Sequence, residues 1–165
     1  MPEPLSLQVI GSKAMGGAER WFVRFSKALA ETRVPAQLAV RAGSELAGLG
    51  LGPLPVHRLP FRTVWDPWSR HAVDRLVGRV KPDIVQTYMG RATRLTRLRP
   101  GSGPVHLARL GGYYALHPYR HAHAWIGNTR GLCDWMVANG IPADRVRTYE
   151  GEAEADWAVS GVHVG

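Results

Sequence analysis

GSKAMGGAERWFVRFSKALAE (residues 11–31) follows the apolar run LSLQVI (residues 5–10), and the two together read as a strand, a glycine-rich turn and a helix. Ala18, Phe22, Phe25 and Leu29 fall at i, i+4, i+7 and i+11, one apolar stripe at the helical period, while Glu19, Arg20, Arg24 and Lys27 mostly lie off it. The helix therefore buries one face and begins at a glycine pair. A helix N-terminus carries unsatisfied N–H groups and a positive dipole end, and Gly16 and Gly17 lack the Cβ atoms that would hold a phosphate away. Two readings are open: an anion site, or glycines that serve only a tight strand-to-helix turn.

Neither complete nucleotide-phosphate motif is present. A dinucleotide fingerprint needs G-x-G-x-x-G, whereas Gly11 is followed by Lys13. A P-loop needs Lys and Ser or Thr after its last glycine, whereas Gly16 is followed by Gly17, Ala18 and Glu19.

Working outward, VPAQLAV (residues 34–40) reads as a second strand, parallel to the first. Residues 41–55 are rich in Gly and Pro and read mainly as a loop with one helical turn near residues 45–49; VHRLPF (residues 56–61) holds a short third strand. Asp66 and Pro67 supply an N-cap and an N1 proline for a helix with Ala72, Val73, Leu76, Val77 and Val80 on its apolar face. At its entrance Arg62, Trp65, Trp68 and Arg70 suit contact with a membrane surface; the alternative is tryptophans packed on the body and solvated arginines.

Residues 84–87 form a further strand, running into a loop and a helix from Arg91. VHLARL (residues 105–110) ends in Gly111-Gly112-Tyr113-Tyr114, and AWIGN (residues 124–128) precedes a helix with Asn128 or Thr129 as N-cap and Gly140 as its terminator. A last strand spans residues 146–149. Open α/β sheets bind ligands at the carboxyl ends of their strands, which puts Tyr88, Arg91, Arg94, Tyr113, Tyr114 and Thr129 where a substrate can meet them. Tyrosines offer flat faces and hydroxyls to a sugar ring, and arginines pair with phosphates or carboxylates. Solvated basic side chains are the alternative for this arginine-rich stretch, and they are the preferred reading for Arg97.

MGGAER with its amphipathic helix, followed in order by YMGRATRL, ARLGGYY and IGNTRGLCDWMVANGIPADRV, resembles the N-terminal domain of family 4 glycosyltransferases of the GT-B type. Within that family the nearest likeness is to enzymes that extend lipopolysaccharide cores or other surface glycans. The resemblance covers residues 5–149 and implies a Rossmann-like parallel α/β domain, residues 1–149, on the acceptor side of an interdomain cleft. It implies that Gly16 and Gly17 meet the phosphates of a nucleotide-sugar donor. Tyr88, Arg91, Arg109, Tyr113, Tyr114 and Thr129 would line the acceptor side. The sugar would pass to a lipopolysaccharide, lipid-linked or other glycan acceptor, with the nucleotide sugar as co-substrate and neither a cofactor nor a metal required.

Two departures qualify it. Many members carry a histidine after the strand that here is VHLARL; Gly111-Gly112-Tyr113 stand there instead, so no catalytic histidine carries over. The family also continues into a second Rossmann-like domain that holds most of the nucleotide site. Here that domain is expected to be absent, through truncation, a frameshift or a fragment, and the chain is expected to be inactive alone. Residues 150–165 break the composition: Glu150, Glu152, Glu154 and Asp156 stand within seven positions, as an acidic tail or an atypical linker.

Composition fits this frame. The 165 residues suit one domain, and 45% hydrophobic content suits a globular protein. No apolar run is long enough for a membrane span and no signal peptide is visible, so a cytoplasmic protein is expected, at most at the inner face of the membrane. The lone Cys133 excludes an internal disulfide, and His121-x-His123 is too little for zinc. A net charge of +8, carried by eighteen arginines and three lysines, suits anionic partners and is also what a GC-rich genome supplies. A non-catalytic module binding a phosphorylated glycan is the alternative function, with nucleic acid ranked below it because no RNA-binding signature is present.

Overall fold

A computed structural model of the protein describes residues 3–148. The apolar runs become strands β1 (Ser6–Ile10), β2 (Ala36–Arg41), β3 (Val56–Leu59), β4 (Ile84–Tyr88), β5 (Val105–Leu110), β6 (Ala124–Gly127) and β7 (Val146–Thr148). Among the described residues they form one sheet in the order β3-β2-β1-β4-β5-β6-β7, every pairing parallel. β1 is buried along its whole length, as a strand covered on both faces must be.

Helices α1 (Gly17–Glu31), α2 (Pro67–Val80), α3 (Met89–Leu95) and α4 (Arg130–Ala138) make the crossovers. Right-handed crossing puts α1 on one face, because the chain moves outward from β1 to β2 there, and the other three helices on the opposite face. The cores divide accordingly: Trp21 and Phe22 of α1 pack with Ile10, Leu38, Val40 and Tyr88, while Val73 and Leu76 of α2 pack with Leu7, Val9 and Val85. The fold is thus Rossmann-like α/β. No helix among the described residues is long and apolar enough to cross a membrane.

Local signals explain the helix ends. Asp66 accepts from the Trp68 amide at 3.1 Å and from the Ser69 hydroxyl at 2.6 Å, which caps α2 and holds the Asp66 carboxyl below its ordinary range. Thr129, rather than Asn128, caps α4 by accepting from the Leu132 amide at 3.1 Å. Gly140, at φ 98°, closes that helix: its amide donates to Val137 at 3.1 Å and the Ile141 amide donates to Met136 at 3.0 Å.

Two elements differ from the sequence reading. The third helix starts at Met89, two residues before Arg91, directly from the end of β4. On α1 the buried residues are Glu19, Trp21, Phe22 and Ser26, while Ala18, Phe25 and Leu29 are half-buried. The buried arc is shifted toward Glu19 and Ser26, and Ser26 tolerates burial because its hydroxyl donates to the Phe22 carbonyl at 2.7 Å. Tyr149 and the acidic residues 150–165 lie outside the described residues.

A polar seam runs between β5 and α3. The Thr93 hydroxyl donates to Met89 O at 2.7 Å, so it accepts from Thr87, whose oxygen in turn accepts from His106 Nε2–H at 2.9 Å. His123 Nδ1 accepts from the His106 amide at 3.0 Å, and its Nε2–H donates to Leu98 O at 3.0 Å. His121 Nε2–H faces the carbonyls of Thr93 and Thr96. These contacts place a hydrogen on Nε2 of each ring. Burial first, then the neighbouring His121, His123 and Arg97, push His106 down to about 3.

Candidate functional site

Strand order reverses between β1 and β4, where one connection turns to each face and a crevice opens at the carboxyl ends. A cavity of ≈ 310 Å³ occupies it. One wall is the start of α1, with Gly16, Gly17, Glu19 and Trp21; the other holds Met89 after β4, Arg109 and Gly111 at the end of β5, Tyr114, and Asn128 after β6.

The glycine pair has a spatial purpose. Neither Gly16 nor Gly17 has a positive φ, so the turn itself does not demand glycine at these positions. A Cβ on Gly17 would meet nothing within 4 Å, so the first turn of α1 is open to an approaching group. A Cβ on Gly16 would come within 2.9 Å of Glu19 Oε2, because the carboxylate at the third helical position folds back toward the N-terminus. The loop before it is held from the far side: the Met15 amide donates to Glu45 Oε2 at 2.8 Å, and the Glu45 amide to Lys13 O at 3.1 Å.

Arg109 brings a positive charge to the cavity, which the Glu19 carboxylate also lines. The arginine is 2% exposed, with its guanidinium 4.0 Å from the Trp21 ring centre and 5.6 Å from that of Tyr88. Away from water such a stack is worth about 2 kcal/mol or more. A Cβ at position 111 would stand 3.7 Å from an Arg109 terminal nitrogen and 3.5 Å from the Asn128 amide, so Gly111 leaves both polar groups room at the rim. An open helix N-terminus facing a buried, stacked guanidinium suits a phosphate or other anion with an attached ring.

The residues singled out by sequence separate into three sets. Gly16, Gly17, Arg109 and Tyr114 meet at the cavity. Tyr113, 64% exposed, stands beside it with its ring 5.3 Å from Trp135 and its hydroxyl 3.4 Å from where a Cβ on Gly131 would be, close to Thr129. Tyr88 and Arg91 lie elsewhere. Tyr88 is fully buried: its hydroxyl donates to Gln8 Oε1 at 2.7 Å and accepts from Gln86 Nε2 at 2.9 Å, and its ring meets Phe22 edge-on at 5.1 Å. It supports Trp21 and Arg109 from below rather than lining the cavity.

The Arg91 stem packs 3.3 Å from where a Cβ on Gly11 would be, and its guanidinium donates to Phe61 O at 3.1 Å. Burial and then the like charge of Arg41 lower its pKa. Glu19, Trp21, Met89 and Asn128 are cavity residues that the sequence reading passed over. Glu19 had a signal, since an acid in the first turn of a helix suits its positive dipole end.

No protein-family model matches the chain, and no curated protein does. Solved structures do. The Anabaena protein HepE, in complex with UDP-glucose, superposes with a TM-score of 0.68 at 14% identity, over 88% of this chain and 43% of its own. The lipopolysaccharide outer core galactosyltransferase WaaB gives 0.61 at 14% identity, over 86% and 44%. The fold is shared with GT-B glycosyltransferases. It is shared equally with a UDP-N-acetylglucosamine 2-epimerase from Rickettsia bellii, at 0.63 and 12% identity, over 95% of this chain and 48% of that one. The chain spans less than half the length of each of these proteins.

Proposed function

We propose that the chain forms the acceptor-side half of a glycosyltransferase cleft, in which a sugar passes from a nucleotide donor to a hydroxyl of a lipopolysaccharide, lipid-linked or other glycan acceptor. The observation that carries this is the cavity at the strand-order reversal, where the open first turn of α1 faces the buried Arg109. Gly16 and Gly17 take the donor diphosphate; Arg109, which the resemblance puts on the acceptor side, shares their cavity and is here assigned to the same diphosphate. Tyr114 and Tyr113 supply stacking faces for the acceptor sugar, beside Thr129. Arg91, held at the same sheet edge by Phe61, is left for an anionic group on a longer acceptor.

The order of MGGAER, ARLGGYY and GIPADRV along the chain supports a transferase over an epimerase, since the fold alone serves both. Transfer is proposed to need a second domain and no resident cofactor or metal, as the resemblance implies.

Calorimetric titration of the purified chain with UDP tests the site. Weak binding through the diphosphate is expected, because the rest of the nucleotide site is proposed to lie on a second domain, and Arg109→Gln is expected to weaken it roughly tenfold or more through loss of a charge-assisted contact. Unchanged UDP affinity in a folded Arg109→Gln variant would rule the site out.

A further inference from the structure

Trp65 and Trp68 are 77% and 69% exposed at the entrance to α2, although both are large enough to anchor a core. They do not stand alone. Arg94, from the last turn of α3, lays its guanidinium over Trp65 at 4.6 Å from the ring centre. A shallow cavity of ≈ 170 Å³ beside this stack is lined by Trp65, Pro67, Arg70, Arg94 and Arg97 among others.

Arg97 lies close enough to Arg70 and Arg94 for the like charges to act on it. Carboxylates do little to neutralise the group. Asp66 is buried and committed to Trp68, Ser69 and Arg62, the last at 3.5 Å, and Asp74, one turn further along α2, offsets Arg70.

We propose that this surface docks the protein on an anionic lipid bilayer, with Trp65 and Trp68 at the headgroup level and Arg70, Arg94 and Arg97 on lipid phosphates. Indole rings settle at the boundary between headgroups and hydrocarbon, and each basic side chain near an anionic surface adds to binding. Charge complementarity selects the partner: crowded arginines need anions on one side, and a bilayer supplies them in a plane. Single-stranded nucleic acid suits the patch less well, because Arg94 already covers one face of the Trp65 ring that a base would stack on. The patch begins where the chain leaves the carboxyl end of β3, the sheet edge that also carries the switch-point cavity. Docking there would bring a membrane-held substrate to that edge, whatever the reaction.

Cosedimentation of the full chain with vesicles of phosphatidylcholine, alone or mixed equally with phosphatidylglycerol, tests this directly. Binding is expected to the mixed vesicles and not to the neutral ones. Arg94→Gln with Arg97→Gln should weaken it by roughly fivefold per arginine. Trp65→Ala with Trp68→Ala should weaken it by roughly tenfold, and should abolish the quenching of tryptophan emission by brominated lipid.

A charge-matched control, Arg24→Gln with Arg33→Gln at exposed positions on and after α1, should stay within about twofold of the parent. Circular dichroism confirms that each variant is folded. The proposal fails if the control weakens binding as much as the patch arginines do, or if the tryptophan variant binds like the parent. It also fails if the chain binds single-stranded RNA through these residues and ignores vesicles.

Discussion

The protein contains two arginine–tryptophan stacks of nearly equal geometry and opposite surroundings. Arg109 lies 4.0 Å from the centre of Trp21, and both are 2% exposed; Arg94 lies 4.6 Å from the centre of Trp65, which is 77% exposed. The first joins β5 to α1 and is backed by Tyr88, so its rings are core. The second joins α3 to the residues just before α2 and is wetted. Burial decides what such a stack can do. Without water the attraction is strong and fixes the guanidinium in the cavity wall; in water it is weak, and the cation stays available to a partner.

The largest way to break the symmetry is to delete the two rings. Trp21→Ala is expected to cost about 3–5 kcal/mol, the usual range for emptying a core site of this size. Trp65→Ala should stay within about 0.5 kcal/mol, as exposed sites do. Urea unfolding of both variants measures the pair, and equal losses would show that exposure does not separate the stacks.

Acid is the next lever, and it acts on the face that carries α3. His106, His121 and His123 pack between β5 and that helix, with Arg97 nearby, and His106 stays neutral down to about 3 against an ordinary 6.5. The unfolded chain therefore takes up a proton that the folded chain refuses over this interval. Stability from the neutral ring is complete above pH 6.5 and is lost as pH falls toward 3. At pH 5 the loss from His106 is on the order of 2 kcal/mol. Denaturant melts from pH 7.5 to 4.5 should show this slope, and His106→Gln should flatten it.

The difference between the stacks also marks what can be read in a chain before it folds. Strands such as SLQVI, and the Asp66-Pro67 start of α2, were legible because burial on both faces and N-capping leave local signatures. The glycine pair was legible as the turn between β1 and α1. Cavity membership was not. Trp21 stands one turn before Phe25 at the border of the apolar stripe, and the helical period alone does not show that it enters the cavity. Tyr88 ends a strand of mixed polarity, IVQTY, in which alternation does not reveal the face; Gln8 and Gln86 meet its hydroxyl inside, so a residue expected to meet substrate became part of the core. Arg109 was anticipated at the sheet edge, but only the packing of α1 turns it into a desolvated cation.

The smallest expected effect is the most discriminating. Arg94→Gln removes the exposed stack and should change stability by no more than about 0.5–1 kcal/mol, the value of a cation–π contact in water. It leaves Trp65 in place and touches neither Trp21 nor the cavity residues. If the exposed arginine is retained for stability, the variant should unfold measurably early and nothing else should change. If it is retained for a surface, unfolding should barely move, while the salt dependence of binding to anionic vesicles becomes shallower, because one fewer cation meets the phosphates. Melting and vesicle titration of this one variant therefore separate a packing role from a docking role, which the near-identical geometry of the two stacks cannot do.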